Sequence, residues 1–127
     1  MIRIGVIGSR RRNEKSDRQK VFDKIKGLYC TGDWLISGGC PKGGDHFAEQ
    51  MAKDMGMPIL IFHANWKKFG RGAGFVRNSD IAAISTVLIA CVAEDRKGGT
   101  ENTIIKFLAN KKLTEVEAIH GGLLHLV

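Results

Sequence analysis

The sequence lacks any apolar run of about 18 residues, the length that suggests a membrane-spanning helix. Its first residues, Met1–Ile7, include an arginine and suit a strand better than a signal peptide. No internal repeat or low-complexity linker divides the chain, and 127 residues are too few for two ordinary domains. We therefore expect a single domain over residues 1–127, in the cytoplasm and without a membrane partner.

Cysteine is also scarce, and its pattern argues against a zinc site. Cys30, Cys40 and Cys91 are far apart, and none has a C-x-x-C partner or a histidine at the spacing of zinc ligands. We therefore expect structural thiols and no metal. Cys40 differs because it lies in a glycine-rich turn before a helix, where a thiolate can be stabilised, although the sequence shows no partner base for it.

Acidic side chains are few at the start of the chain. The net charge is +7, and residues 1–26 carry nine basic and three acidic side chains, whereas residues 27–127 carry eleven and ten. The basic side chains from Arg10 to Lys26 can meet the phosphates of a nucleotide or of a nucleic-acid backbone. The alternative is a solvated helix face that favours solubility.

Short apolar runs alternate with segments of helical spacing along the whole chain. The helical pattern predicts helices over residues 16–29, 45–55, 75–84 and 100–110. The apolar runs predict strands over residues 2–7, 34–37, 58–62, 86–91 and 115–119, with a further short edge strand within residues 121–127. Between them, His63–Ala73 is predicted as a loop whose aromatic and basic side chains form a rim or lid.

This alternation predicts the fold class. Strands that alternate with helices indicate an α/β protein, here one Rossmann-like domain of three layers with a mainly parallel sheet of five or six strands. Ligands of such folds bind at the carboxyl ends of the strands, near the point where the strand order reverses. We therefore expect the functional residues at that edge.

Three glycine-bearing turns follow predicted strands and precede predicted helices. Glycine lets backbone amides approach an anion closely, and the following helix turns its unpaired N–H groups toward it. Arg77 and Asn78, early in the third predicted helix, can reach the same edge. The sequence therefore predicts a site for a phosphate-bearing ligand, formed by Gly8, Ser9, Arg10, Ser37, Gly38, Gly39, Lys42, Gly43, Gly44, Asp45, Arg77, Asn78, Gly98, Gly99 and Thr100.

Structural roles stay open for several of these residues. Asp45 and Thr100 both stand where the side chain that caps a helix is expected, and Arg77 can be a surface arginine. In the binding interpretation Asp45 accepts hydrogen bonds from a ribose or a base, while Trp66 or Phe69 covers the base by stacking.

Two common nucleotide motifs are absent. The glycines at Gly5 and Gly8 do not have the spacing of the dinucleotide fingerprint G-x-G-x-x-G, and no G-x-x-x-x-G-K-[ST] sequence occurs. The sequence thus disfavours NAD, and we predict no cofactor.

The order of the motifs resembles a known superfamily. V-I-G-S-R is followed by I-S-G-G-x-x-x-G-x-D-x-x-A-x-x-x-A, then by F-x-x-R-N, a strand and G-G-T. This order is similar to that of the SMF/DprA–LOG (SLOG) superfamily, and within it to the small YspA-related branch of Rossmann-like proteins. The resemblance covers nearly the whole chain.

The resemblance implies different functions in different branches. LOG-type members are phosphoribohydrolases that cleave the N-glycosidic bond of nucleoside monophosphates, with the signature P-G-G-x-G-T-x-x-E. The matching stretch here, Lys97–Thr103, lacks the proline and one glycine, and Thr103 stands where the glutamate is expected. DprA-type members bind single-stranded DNA, and other members are thought to sense nucleotides or nucleotide-derived signals. Relatives often dimerise, which implies a homo-oligomer.

These observations predict a binding domain for a nucleotide or a nucleotide-derived phosphate ligand. One alternative is a LOG-like nucleoside monophosphate N-glycosidase with Glu101 or Asp45 as catalytic candidates. The other alternative is DprA-like binding of single-stranded nucleic acid through the basic first loop and helix.

Overall fold

The computed structural model describes all 127 residues and contains one parallel sheet of five strands. Its strand order is β3-β2-β1-β4-β5, and every neighbouring pair is parallel. The fold class predicted from the sequence is confirmed. The strands are β1 (Arg3–Gly8), β2 (Trp34–Ser37), β3 (Ile59–Ile61), β4 (Val87–Cys91) and β5 (Leu124–Leu126).

Helices cover both faces of this sheet. They are α1 (Lys15–Leu28), α2 (Gly44–Met55), α3 (Trp66–Phe69), α4 (Ala73–Ile84), α5 (Gly99–Lys111) and α6 (Glu115–His120). One buried cluster joins α1 and α2 to the sheet, and a second joins α4, α5 and α6 to the opposite face. None of these helices combines the length and the apolar character that a bilayer-crossing helix needs.

Neighbouring residues of the central strands enter opposite clusters. Val6 packs toward α1 and α2, whereas the next residue, Ile7, packs toward α4 and α5; Leu35 and Ile36 of β2 divide in the same way. Burial on both faces explains why these strands appear as continuous apolar runs in the sequence.

The strand order reverses between β1 and β4, which are neighbours although two other strands separate them in sequence. The register pairs Gly8 with Cys91, and the backbone N–H of Ser9 donates to the carbonyl of Cys91 at 2.9 Å. After this point the two chains separate into the loops that precede α1 and α5. Such a divergence leaves a crevice at the carboxyl edge of the sheet.

Two glycines let the start of α2 pack directly on the end of β1. A Cβ on Gly44 would overlap the carbonyl oxygen of Ile7 and lie 2.8 Å from the backbone nitrogen of Gly8. A Cβ on Gly8 would in turn lie 2.7 Å from the nitrogen of Gly44. The glycines of this turn therefore place α2 at the crevice, because no side chain fits between the two backbones.

The predicted strand over Glu115–Ile119 is wrong, because these residues form α6. Thr114 accepts a hydrogen bond from the backbone N–H of Glu117, and Glu117 accepts one from the N–H of Thr114, so a capping box begins the helix. Ala118 is the one buried side chain of α6. The fifth strand is Leu124–Leu126, inside the predicted edge segment.

The predicted loop over His63–Ala73 is only partly a loop. Trp66–Phe69 forms α3, a single turn in which the N–H of Lys68 donates to the side chain of Asn65 at 3.0 Å, and Gly70–Gly72 forms a 3₁₀ turn. Helical turns of this length leave little apolar periodicity in a sequence.

We predict that Gly44→Ala destabilises the protein by about 1–3 kcal/mol, because α2 must move away from β1. Gly27→Ala is the matched control: Gly27 is in α1, a Cβ there meets nothing within 4 Å, and we expect a gain of about 0.5–1 kcal/mol. Urea denaturation measures both free energies of unfolding. Equal effects of the two substitutions would contradict the packing described above.

Candidate ligand-binding site

A polar cleft of about 320 Å³ opens at the carboxyl ends of β1 and β4. This volume is at the lower end of the range of roughly 300–1,000 Å³ that small-molecule sites occupy. The cleft is lined by Ile7, Gly8, Ser9, Arg10, Arg11, Cys40, Asp45, Arg77, Asn78, Ile81, Lys97, Gly98, Gly99, Thr100 and Thr103. The structure thus brings together nine of the residues predicted from the sequence, namely Gly8, Ser9, Arg10, Asp45, Arg77, Asn78, Gly98, Gly99 and Thr100.

The loop after β1 contributes two arginines to the cleft. Arg11 donates two hydrogen bonds to the carboxylate of Asp95, at 2.7 and 2.9 Å, and a third to the carbonyl of Lys97 at 3.0 Å. These hydrogen bonds connect the β1–α1 loop with the β4–α5 loop. The side chain of Arg10 is exposed and makes no hydrogen bond with the protein. Arg10 is therefore free to pair with an anion in the cleft.

Arg12 has a structural role and does not line the cleft. Its Nε donates to Asp17 at 2.7 Å, and its Nη1 donates to the carbonyls of Val92 and Val127 at 2.8 and 2.7 Å. The guanidinium thereby ties α1, the end of β4 and the last residue of the chain together. The basic field predicted from Arg10 to Lys26 is consequently not all available to a partner.

The start of α5 forms another side of the cleft. Gly98 is the N-cap residue, with φ +117° and no side-chain cap, so Thr100 is not the cap that its sequence position indicates. The first N–H groups of a helix have no partner inside it, and Gly98, Gly99 and Thr100 all line the cleft. An anion can accept from these amides and gains from the positive end of the helix dipole.

Arg77 and Asn78 on α4 connect the turn after β2 with the start of α5. Arg77 donates from Nη1 to the carbonyl of Gly38, at the end of β2, at 2.6 Å. Asn78 donates from Nδ2 to the carbonyl of Gly99 at 3.3 Å and to Asn102 at 3.2 Å. Asn78 also accepts from Nε of Arg77 at 3.1 Å. These bonds leave Nη2 of Arg77 without a protein acceptor.

Asp45 is the only acidic residue in the lining. It lies in the first turn of α2, where Gly43 is the N-cap residue, so Asp45 does not cap this helix as predicted. Only 8% of Asp45 is exposed, and no basic side chain pairs with it within 4 Å. Burial raises its pKa to about 6, although the N–H groups of Cys40 and Gly38 and the nearby Arg77 act in the opposite direction.

Most residues of the glycine-rich segment 37–45 pack next to the cleft and do not line it. The hydroxyl of Ser37 donates to the carbonyl of Asp45 at 3.3 Å and accepts from the N–H of Gly39 at 3.2 Å. A Cβ on Gly38 would lie 2.8 Å from Oδ2 of Asp45 and 3.0 Å from Cδ of Arg77. The predicted ligand-binding residues that lie outside the lining are Ser37, Gly38, Gly39, Lys42, Gly43 and Gly44.

Glu101, the first catalytic candidate, also lies outside the lining. Its carboxylate accepts from Nε of Arg96 at 2.9 Å, and the same arginine binds Glu115. These contacts join the start of α5 to α6. Trp66 and Phe69, predicted to cover a base, are exposed on α3 and do not line the cleft.

Sequence reasoning missed several lining residues as ligand contacts. The sequence pattern places Arg11 in the basic field and Lys97 before two glycines, without a ligand role for either. Thr103 stands where the resemblance implies a glutamate, yet it lines the cleft and donates to the carbonyl of Gly99 at 3.3 Å. Its position one turn after Gly99 was the available signal, because residues four apart share a helix face.

No group of three or more His, Cys, Asp or Glu side chains is placed to hold a metal ion. No protein-family model matches the chain, and no curated protein or solved structure is significantly similar to it. The superfamily therefore stays a prediction from the sequence motifs.

We predict that Asp45→Asn stabilises the protein most at neutral pH. Because the folded pKa of Asp45, about 6, exceeds the unfolded value of 3.8, the folded state binds the extra proton between these values. Its stability therefore falls as the pH rises through this window. The difference between variant and wild type should shrink by up to about 3 kcal/mol from pH 7.5 to pH 4. Urea denaturation at several pH values measures it, and a constant difference would contradict the prediction.

Proposed function

We propose that the protein binds a nucleotide or a nucleotide-derived phosphate ligand in this cleft. The observation that carries the proposal is the convergence of the uncapped start of α5 with the basic side chains of Arg10, Lys97 and Arg77 in one lining. Backbone amides at a helix start and charged donors on separate elements are what a phosphate group requires.

The composition of the cleft favours a polar ligand. Its lining has three apolar side chains, those of Ile7, Cys40 and Ile81, and four basic ones. A cleft of this kind gives an uncharged apolar ligand little surface to bury, whereas a phosphate ester can use the charged donors. The location between β1 and β4 is also where open parallel sheets bind their ligands.

The geometry supports binding more directly than hydrolysis. A glycosidase of the kind considered from the sequence needs a carboxyl group that reaches the scissile bond. The carboxylate of Glu101 is held by Arg96 outside the lining, which leaves Asp45 as the one carboxyl group in the cleft. We therefore propose a binding domain, with N-glycoside hydrolysis by Asp45 as the alternative.

A single-stranded nucleic acid is a second candidate ligand, favoured by the position of Trp66. Both its ring and Nη2 of Arg77 lie 3.8 Å from the place that a Cβ of Gly74 would occupy. Trp66 is 59% exposed. Its ring therefore forms an aromatic surface beside the cleft, next to Arg77. A base adjacent to the nucleotide in the cleft can stack on such a surface.

We predict that nucleoside phosphates raise the melting temperature at low salt in protein freed of copurified ligand. A ligand at 100 times its Kd stabilises by about 2.7 kcal/mol. Arg10→Ala should weaken binding about tenfold, because a charged hydrogen bond is lost, whereas Lys53→Ala, at the far end of α2, should leave it unchanged. If no nucleotide shifts the melting temperature, the proposed function is wrong.

The two ligand candidates differ in what Trp66→Ala does. If single strands bind, this substitution weakens the binding of a short oligonucleotide by about 1–3 kcal/mol, which is the contribution of one stacked base. The affinity for a mononucleotide should not change. Fluorescence anisotropy at several salt concentrations measures both affinities. A salt-independent affinity, or equal losses for both ligands, would argue against the nucleic acid.

A further inference from the structure

Asp45 is unusual among the residues of the cleft. Its carboxylate lines a space that four basic side chains share, yet it has no ion-pair partner within 4 Å and is 8% exposed. A buried carboxylate normally pairs with a cation or is fully hydrogen-bonded. Here its only close donors are backbone N–H groups, including that of Cys40 at 3.3 Å.

Asp45 and the uncapped start of α5 occupy different parts of the cleft. The backbone groups around Asp45 belong to the turn after β2, whereas α5 begins after β4, and β1 lies between these two strands. Neighbouring strands are about 4.8 Å apart, so the ends of β2 and β4 are separated by roughly 10 Å. One ligand can therefore meet a carboxylate at one end and helix amides at the other.

The two ends of the cleft favour ligand groups of different charge. A phosphate beside Asp45 would face a like charge, whereas at the start of α5 it meets unpaired amides and the side chains of Arg10 and Lys97. A Cβ on Gly38 would lie 2.8 Å from Oδ2 of Asp45 and 3.2 Å from Nη1 of Arg77, so these two atoms are at most about 6 Å apart. Nη1 has one N–H besides the one that binds the carbonyl of Gly38. A group bound between them can therefore donate to the carboxylate and accept from the guanidinium.

A hydroxyl group meets both requirements with a single atom, since it has one donor and two acceptor lone pairs. An ammonium group has no acceptor and would be repelled by Arg77. We propose that the cleft is specific for a phosphate ester of a sugar with free hydroxyl groups, with phosphate at the start of α5 and a hydroxyl between Asp45 and Arg77. This inference rests on the proposed function and names Asp45 as its specificity-determining residue.

The test compares two phosphate esters by isothermal titration calorimetry at pH 7.5. Ribose 5-phosphate carries free hydroxyl groups, and ethyl phosphate carries none. The wild-type protein should bind ribose 5-phosphate about tenfold to a hundredfold more tightly, the effect of hydrogen bonds to a charged group. In Asp45→Asn this preference should fall about tenfold, while the affinity for ethyl phosphate stays the same or increases.

Asp54→Asn is the matched control, because Asp54 is exposed on the same helix and lies outside the cleft; its preference should equal that of the wild type. Tight binding of both esters without a preference, or a preference that Asp45→Asn leaves intact, would overturn the inference alone. Binding of neither ester, nor of any nucleotide, would overturn the proposed function and the inference with it.

Discussion

Two consecutive side chains of α4 hold the candidate site together. Arg77 binds the carbonyl of Gly38 after β2, and Asn78 binds the carbonyl of Gly99 at the start of α5. Successive residues on a helix point in different directions, so one short segment reaches both the turn after β2 and the start of α5. Asn78 is buried and also accepts from Arg77, so a connected set of hydrogen bonds links these two segments at the cleft.

The same region combines close backbone packing with an unfavourable charge. Glycines at positions 8 and 44 let α2 approach β1 so closely that Asp45, in its first turn, is buried beside the cleft. The elevated pKa of Asp45 means that its ionised form lowers the stability of the folded state at neutral pH. Perturbed groups of this kind concentrate at functional sites. A ligand that donates to Asp45 would replace part of the hydration that burial removed.

The sequence predicted the parallel sheet and four of the helices, because two-sided burial and helical periodicity leave clear patterns in the central elements; the cleft lies at the edge where a site was expected. The sequence pattern misassigned Glu115–Ile119, where a short apolar pattern fits a strand as well as a helix and the Thr114 capping box decides. The predicted ligand-binding residues include Gly43 and Gly44, which pack against the end of β1 and lie outside the lining of the cleft. Spacing in a sequence shows that glycine is needed but does not show whether a ligand or another backbone requires it. Likewise, only tertiary contacts reveal that Arg11 and Arg12 are bound within the protein and Arg10 is free.

In the proposed function, backbone amides at the start of α5 hold the phosphate of the ligand. Two-dimensional ¹H–¹⁵N NMR of the labelled protein, titrated with a nucleoside monophosphate at low salt, observes these amides. We expect the largest shifts at the amides of Gly98, Gly99 and Thr100, in the downfield direction that a hydrogen bond to an anion produces. Shifts confined to α1, or spread over the basic surface without these amides, would contradict it.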